Sequence, residues 1–106
     1  MKSEMMHKLR GCLATMPIDK AWLFGSYSRG EERPDSDIDL LVKFNPDARI
    51  SLFKYAAIIL TLEKELGKKI DLVQEGSMLP FVAATADEDK ILIYERELMI
   101  RGGLST

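Results

Sequence analysis

Ala21-Trp22-Leu23-Phe24-Gly25-Ser26, then ten residues, then Asp37-Ile38-Asp39-Leu40-Leu41-Val42-Lys43-Phe44, is the part of the chain from which the architecture follows. The apolar run Ala21–Phe24 stops abruptly at Gly25-Ser26, the pattern of a buried strand entering a tight turn. The stretch from Tyr27 to Ser36 is polar and rich in Gly, Pro and charge. A second strand follows over Asp37–Phe44. Side chains alternate along a strand, so Ile38, Leu40 and Val42 share one face while Asp37 and Asp39 share the other.

Outward from this pair, Ser3–Thr15 places Met6, Leu9, Leu13 and Met16 at helical spacing, with Ser3 as expected N-cap and Pro17 ending the pattern. Asn45-Pro46-Asp47 predicts the start of a long helix running to about Leu66 and burying Leu52, Ala56, Ile59 and Leu66 or their neighbours. Gly67 with Lys68 and Lys69 gives its C-terminal stop, an expected left-handed residue followed by charge suited to the helix dipole. Lys69–Val73 predicts a third strand with Ile70 and Leu72 on one side and Asp71 on the other. Pro80 to about Glu88 is read as a short helix. Ile91–Tyr94 is either a last strand or the continuation of that helix, since periodicity does not separate the two. Arg101–Thr106 is read as a frayed or partner-ordered tail. Interleaved helices and strands predict an α/β (α+β) fold: a small mixed sheet flanked by helices, one face left open because three aspartates stand on it.

The chain of 106 residues has room for one small domain, expected over 1–106. Its balance of 15 Lys plus Arg against 17 Asp plus Glu gives a net charge of −2, the opposite of what non-specific duplex binding favours, so direct nucleic-acid binding is not expected. The single cysteine, Cys12, excludes an internal disulfide and a thiolate metal cluster. The apolar stretch Tyr55–Leu62 is far too short to span a bilayer, and Met1–Glu4 turns polar at once, without an apolar leader. No membrane association and a cytoplasmic address are the expectation.

The three aspartates carry the chemistry. Asp37 and Asp39 project from one face, roughly 7 Å apart along the backbone. Asp71 has the same parity, and it joins them if its strand lies next to theirs. Clustered carboxylates repel and raise one another's pKa, a penalty that a divalent cation removes, and hard oxygen ligands suit Mg²⁺. Protein-bound Mg²⁺ commonly recruits substrate phosphates. Gly25-Ser26 supplies what a phosphate needs: a close backbone approach and a hydroxyl donor. Asp35 reads as a turn residue, and Asp71 taken alone could be a simple edge-strand aspartate. Arg29 either holds a triphosphate or pairs with Glu31 or Glu32. Tyr27 and Ser28 read as turn residues, His7 as exposed on its helix, Cys12 as a small buried hydrophobe, Trp22 as core, and Lys64, Lys68 and Lys69 as a solvated helix end.

Gly25-Ser26, ten residues, and Asp37-Ile38-Asp39 resembles the GS-x10-D-x-D signature of the DNA polymerase β-like nucleotidyltransferase superfamily. Its four fixed letters arise by chance in about one chain in a thousand of this length, so the match carries weight. The fuller string, Phe24-Gly25-Ser26-Tyr27-Ser28-Arg29-Gly30 with Pro34-Asp35-Ser36-Asp37-Ile38-Asp39-Leu40-Leu41-Val42, is similar to the minimal nucleotidyltransferases, antitoxins paired with HEPN-domain ribonuclease toxins. The resemblance extends from the first helix to about Tyr94, and Asp71 sits where that family's third carboxylate strand is expected.

That resemblance implies AMP transfer from ATP to a tyrosine of a cognate HEPN toxin, in a type VII-like toxin–antitoxin pair forming a hetero-oligomer. Asp37, Asp39 and Asp71 would be the catalytic and metal-binding residues, holding two Mg²⁺ ions, with Asp71 also helping to remove the acceptor's proton. Gly25, Ser26 and Arg29 would bind the nucleotide. Two other functions fit the same residues: a binding protein that silences its toxin by occlusion, and a nucleotidyltransferase subunit acting on a small molecule held by a separate helical partner.

Overall fold

The alternation along Asp37–Phe44 folds as read, into a central strand with one oily side. The computed structural model describes residues 1–75 and 90–96. Its elements are α1 (Ser3–Ala14), β1 (Ile18–Phe24), a 3₁₀ turn (Gly25–Tyr27), β2 (Ile38–Phe44), α2 (Leu52–Leu66), β3 (Ile70–Gln74) and β4 (Ile91–Glu95). The four strands form one sheet in the order β3-β2-β1-β4. β1 runs antiparallel to both β2 and β4, while β2 and β3 are parallel and joined across α2. The sheet is mixed and the fold α+β. Ile91–Tyr94 is thus a strand; the Pro80–Glu88 and Arg101–Thr106 readings fall outside the described residues.

Both helices contribute to one core. Leu9 and Leu13 of α1 and Ile58, Leu62 and Leu66 of α2 cover Ile18, Ala21, Leu23, Ile38, Leu40, Val42, Ile70, Leu72 and Ile93 of the sheet. Trp22 is not among them: it is half-buried on the opposite face, with the Lys90 ammonium 4.8 Å from its ring centre. Its ladder partners on that face are Leu41, itself buried, and Leu92.

Three boundaries differ markedly from the sequence reading. Lys2, not Ser3, is the N-cap of α1, and it makes no side-chain capping bond. β1 starts at Ile18, three residues early, because the polar pair Asp19-Lys20 lies within a strand whose ladder is irregular between Ile18 and Lys20. Asn45-Pro46-Asp47 does not start α2; the Asn45 side chain accepts from the Asp47 N–H at 2.8 Å and its carbonyl from Ala48, closing a local turn. α2 begins after Ser51, whose hydroxyl accepts from the Lys54 N–H at 3.1 Å. Its buried stripe runs through Tyr55, Ile58, Leu62 and Leu66, leaving Leu52 83% and Ala56 also exposed. At the other end Gly67 is left-handed (φ 65°) and donates to the Glu63 carbonyl, as the sequence predicts. Lys68 is not merely solvated: its ammonium donates to the Pro34 carbonyl and ties the loop before β2 to the end of α2.

Candidate active site

β2 and β3 are neighbours, and their register sets Asp39 directly beside Asp71. Adjacent strands lie about 4.8 Å apart, and paired residues point the same way, so both carboxyls leave the face opposite the helices. Among the charges around Asp39, that of Asp71 acts on it most strongly. Asp37 stands exposed just before β2 begins.

The third element of the site is the turn at Gly25. The register of β1 on β2 pairs Phe24 with Asp39, which brings the chain's exit from β1 against the carboxylate. Gly25 adopts φ +72°, a left-handed conformation that a side chain disfavours. A Cβ there would also stand 2.2 Å from Asp39 Oδ2. Sequence reasoning assigned this glycine to the approach of a ligand; the structure shows it also vacates the space that the Asp39 carboxylate occupies. A signal for this existed in the two-strand spacing, but only the pairing register turns it into a contact. The turn is held by Ser28, whose hydroxyl donates to the Gly25 carbonyl at 2.7 Å, and by the Arg29 and Glu31 amides, which donate to the Ser26 carbonyl. Tyr27 points inward and is buried, a turn residue as read.

Burial pushes the Asp39 carboxyl above its ordinary pKa, and the neighbouring charges of Asp71 and then Asp37 raise it further. The Arg29 charge pulls the other way. The Arg29 guanidinium pairs with Glu31 (Nε to Oε1, 2.6 Å), and its charge still reaches Asp39. Tyr55, on the helix side of β3, has its phenol raised by burial and by the Asp71 charge. His7 is exposed on α1, and Cys12 is half-buried with its thiol raised by burial and by Glu65.

Among the described residues, no three His, Cys, Asp or Glu side chains already form a closed ligand set. The expected trio instead resolves into an Asp39–Asp71 pair with Asp37 alongside. A pair of acidic side chains set side by side, one partly buried, fits a hard divalent cation. Mg²⁺ in particular uses one or two carboxylates and takes its remaining ligands from water and substrate phosphates. Facing solvent beside a glycine turn, the arrangement can gather a metal, a polyphosphate and an incoming hydroxyl at one point. No helix among the described residues is long and apolar enough to cross a membrane.

Comparison with known proteins agrees with this geometry. Residues 6–96 match the nucleotidyltransferase domain family. The chain is 43% identical over 72 residues to MJ1379 of Methanocaldococcus jannaschii, assigned as a protein adenylyltransferase, covering 67% of this chain and 72% of that one. It is 38% identical over 71 residues to the protein adenylyltransferase MntA of Thermococcus cleftensis, covering 67% and 70%. Its fold matches, with a TM-score of 0.68 and 18% identity, a chain of the solved complex of a tri-AMPylated Shewanella oneidensis HEPN toxin with an MNT antitoxin, over 95% of this chain and 78% of that one.

Proposed function

This chain belongs to the nucleotidyltransferase domain family, and on that footing we propose that it transfers AMP from ATP to a tyrosine of a partner HEPN toxin, as the antitoxin of the pair. The observation that carries the reading is the Asp39–Asp71 pair, side by side in register on the open face, with Gly25 packed against Asp39. Support for a protein acceptor comes from the adenylyltransferase relatives and from the AMPylated toxin complex that shares the fold.

In this reading Asp37, Asp39 and Asp71 hold the Mg²⁺ ions, which when bound screen the negative charge of carboxylates and triphosphate. Gly25 and Ser26 seat the β and γ phosphates through backbone amides and the Ser26 hydroxyl. Asp71 accepts the phenolic proton of the incoming tyrosine. A bond forms between the tyrosine oxygen and the α phosphorus, the bond from that phosphorus to the bridging oxygen breaks, and pyrophosphate leaves with the electron pair. Arg29 adds positive potential at the rim of the site.

Intact mass of the toxin co-expressed with wild type or with Asp37→Ala/Asp39→Ala tests this directly. One or more AMP units gained only with wild type is the expected result. An unmodified toxin that is silenced equally by both forms overturns it in favour of occlusion. That second reading has an observation of its own: Leu52, Phe53 and Leu60 expose 83%, 88% and 65% of their surface on α2, an apolar patch independent of the acids.

A further inference from the structure

Among the described residues β3 is an edge strand whose inner side pairs with β2, so its outer backbone groups at Ile70 and Leu72 face no described strand. Both are taken by side chains of α2. The Glu63 carboxylate accepts from the Ile70 N–H at 3.0 Å, and the Tyr55 hydroxyl donates to the Leu72 carbonyl. Tyr55 and Glu63 are eight residues apart, two helical turns along the stripe of α2 that faces the sheet. Their two bonds land on the residues immediately before and after Asp71. The Tyr55 ring is itself fixed, edge-on to Phe44 with centroids 6.2 Å apart.

Repulsion between Asp39 and Asp71 acts to push β3 away from β2, and an edge strand is the part of a sheet best able to yield. A strand held on both hydrogen-bonding sides cannot slide or splay at that position. We propose that Tyr55 and Glu63 are positioning residues that clasp β3 on either side of Asp71 and hold its carboxylate beside Asp39 for metal binding. This rests on the reading of Asp71 as a metal ligand given above.

The test uses the full chain, a non-hydrolysable ATP analogue and Mn²⁺ as the probe ion, with bound Mn²⁺ counted by electron paramagnetic resonance. Tyr55→Phe keeps the ring and removes the donor. Glu63→Leu removes the acceptor, whereas Glu63→Gln retains a carbonyl oxygen that can accept from Ile70. We expect Tyr55→Phe and Glu63→Leu each to weaken Mn²⁺ binding by about tenfold, as loss of a residue supporting a metal ligand does, with Glu63→Gln near wild type. Exchange of the Ile70 amide with solvent should accelerate in Glu63→Leu alone.

Asp71→Asn separates the two levels of the argument. If it weakens Mn²⁺ binding while Tyr55→Phe and Glu63→Leu leave it unchanged, the clasp is overturned and the ligand reading stands. If Asp71→Asn itself leaves Mn²⁺ binding unchanged, the ligand reading falls and takes the clasp with it. A loss in Glu63→Leu that Glu63→Gln fails to rescue also overturns the clasp, because it would then come from charge rather than from the held strand.

Discussion

Along β2, Ile38, Leu40 and Val42 are fully shielded from solvent, whereas Asp39, between the first two, opens onto the other face of the sheet. On the helix-covered side the strand presents side chains that gain by leaving water, none of them charged. The open side carries Asp39, which resists ionisation because it is partly buried and close to two other acids. One strand therefore holds residues that stabilise the fold next to one that opposes it, although farther along the open face Leu41 is again buried. The lesson is that the site is placed by the packing of the neighbouring residues and contributes no stability of its own.

The strongest way to break this contrast is on the packing side. Leu40→Ala should cost about 2–5 kcal/mol of stability, read from the denaturant midpoint, because a fully buried leucine leaves a cavity under both helices. Asp39→Asn should do the reverse: AMP transfer falls more than about a hundredfold, beyond the loss expected for a residue that merely supports a ligand, while the melting temperature in the absence of divalent cations rises. A fall in melting temperature for Asp39→Asn would show the open face to be part of the scaffold after all. Gly25→Ala sits between the two faces. Its left-handed backbone should cost roughly 1–2 kcal/mol of stability, and the new methyl should displace the Asp39 carboxylate, so transfer is lost far beyond what the stability change explains.

The smallest effect is the pH dependence. The Asp39 carboxyl has a higher pKa folded than unfolded, so its contribution is fully present below the unfolded carboxylate pKa and is lost as pH rises through the folded one. Glu32 acts with the opposite sign: a hydrogen bond from its own backbone and one from the N-terminal ammonium hold its carboxyl below the ordinary value, so that stability is lost as pH falls. The measurement that isolates Asp39 is the difference in denaturant midpoint between wild type and Asp39→Asn across the acidic range. Wild type should lose ground to the variant as pH rises; a flat difference would mean that the acids do not oppose the fold.

Much of this was legible from the order of residues because a period of two is hard to mistake when charges occupy one phase of it. Asp37-Ile38-Asp39-Leu40 and Ile70-Asp71-Leu72 each declare a face. What they do not declare is that the two strands are neighbours in register, since that depends on α2 folding back across the sheet. Turn chemistry misled at Asn45-Pro46-Asp47, where an asparagine that closes its own local turn looks the same in sequence as a helix start. The phase of α2 is legible at its end, where Leu66 is buried, but not at its start, where apolar Leu52 and Phe53 face solvent and Tyr55 begins the inner stripe. Gly25 was legible as a special residue but not as the partner of a carboxylate.

The parallel pairing of β2 with β3 has a kinetic consequence. Asp39 and Asp71 are 32 residues apart in the chain and meet only after the segment through α2 has closed on itself, a contact of high sequence separation. Where such closure comes late, their mutual repulsion is absent from the transition state for folding and is felt only in the native state. The acids then leave the rate of folding alone and hasten unfolding, and a bound cation lengthens the native lifetime without making the chain fold any faster.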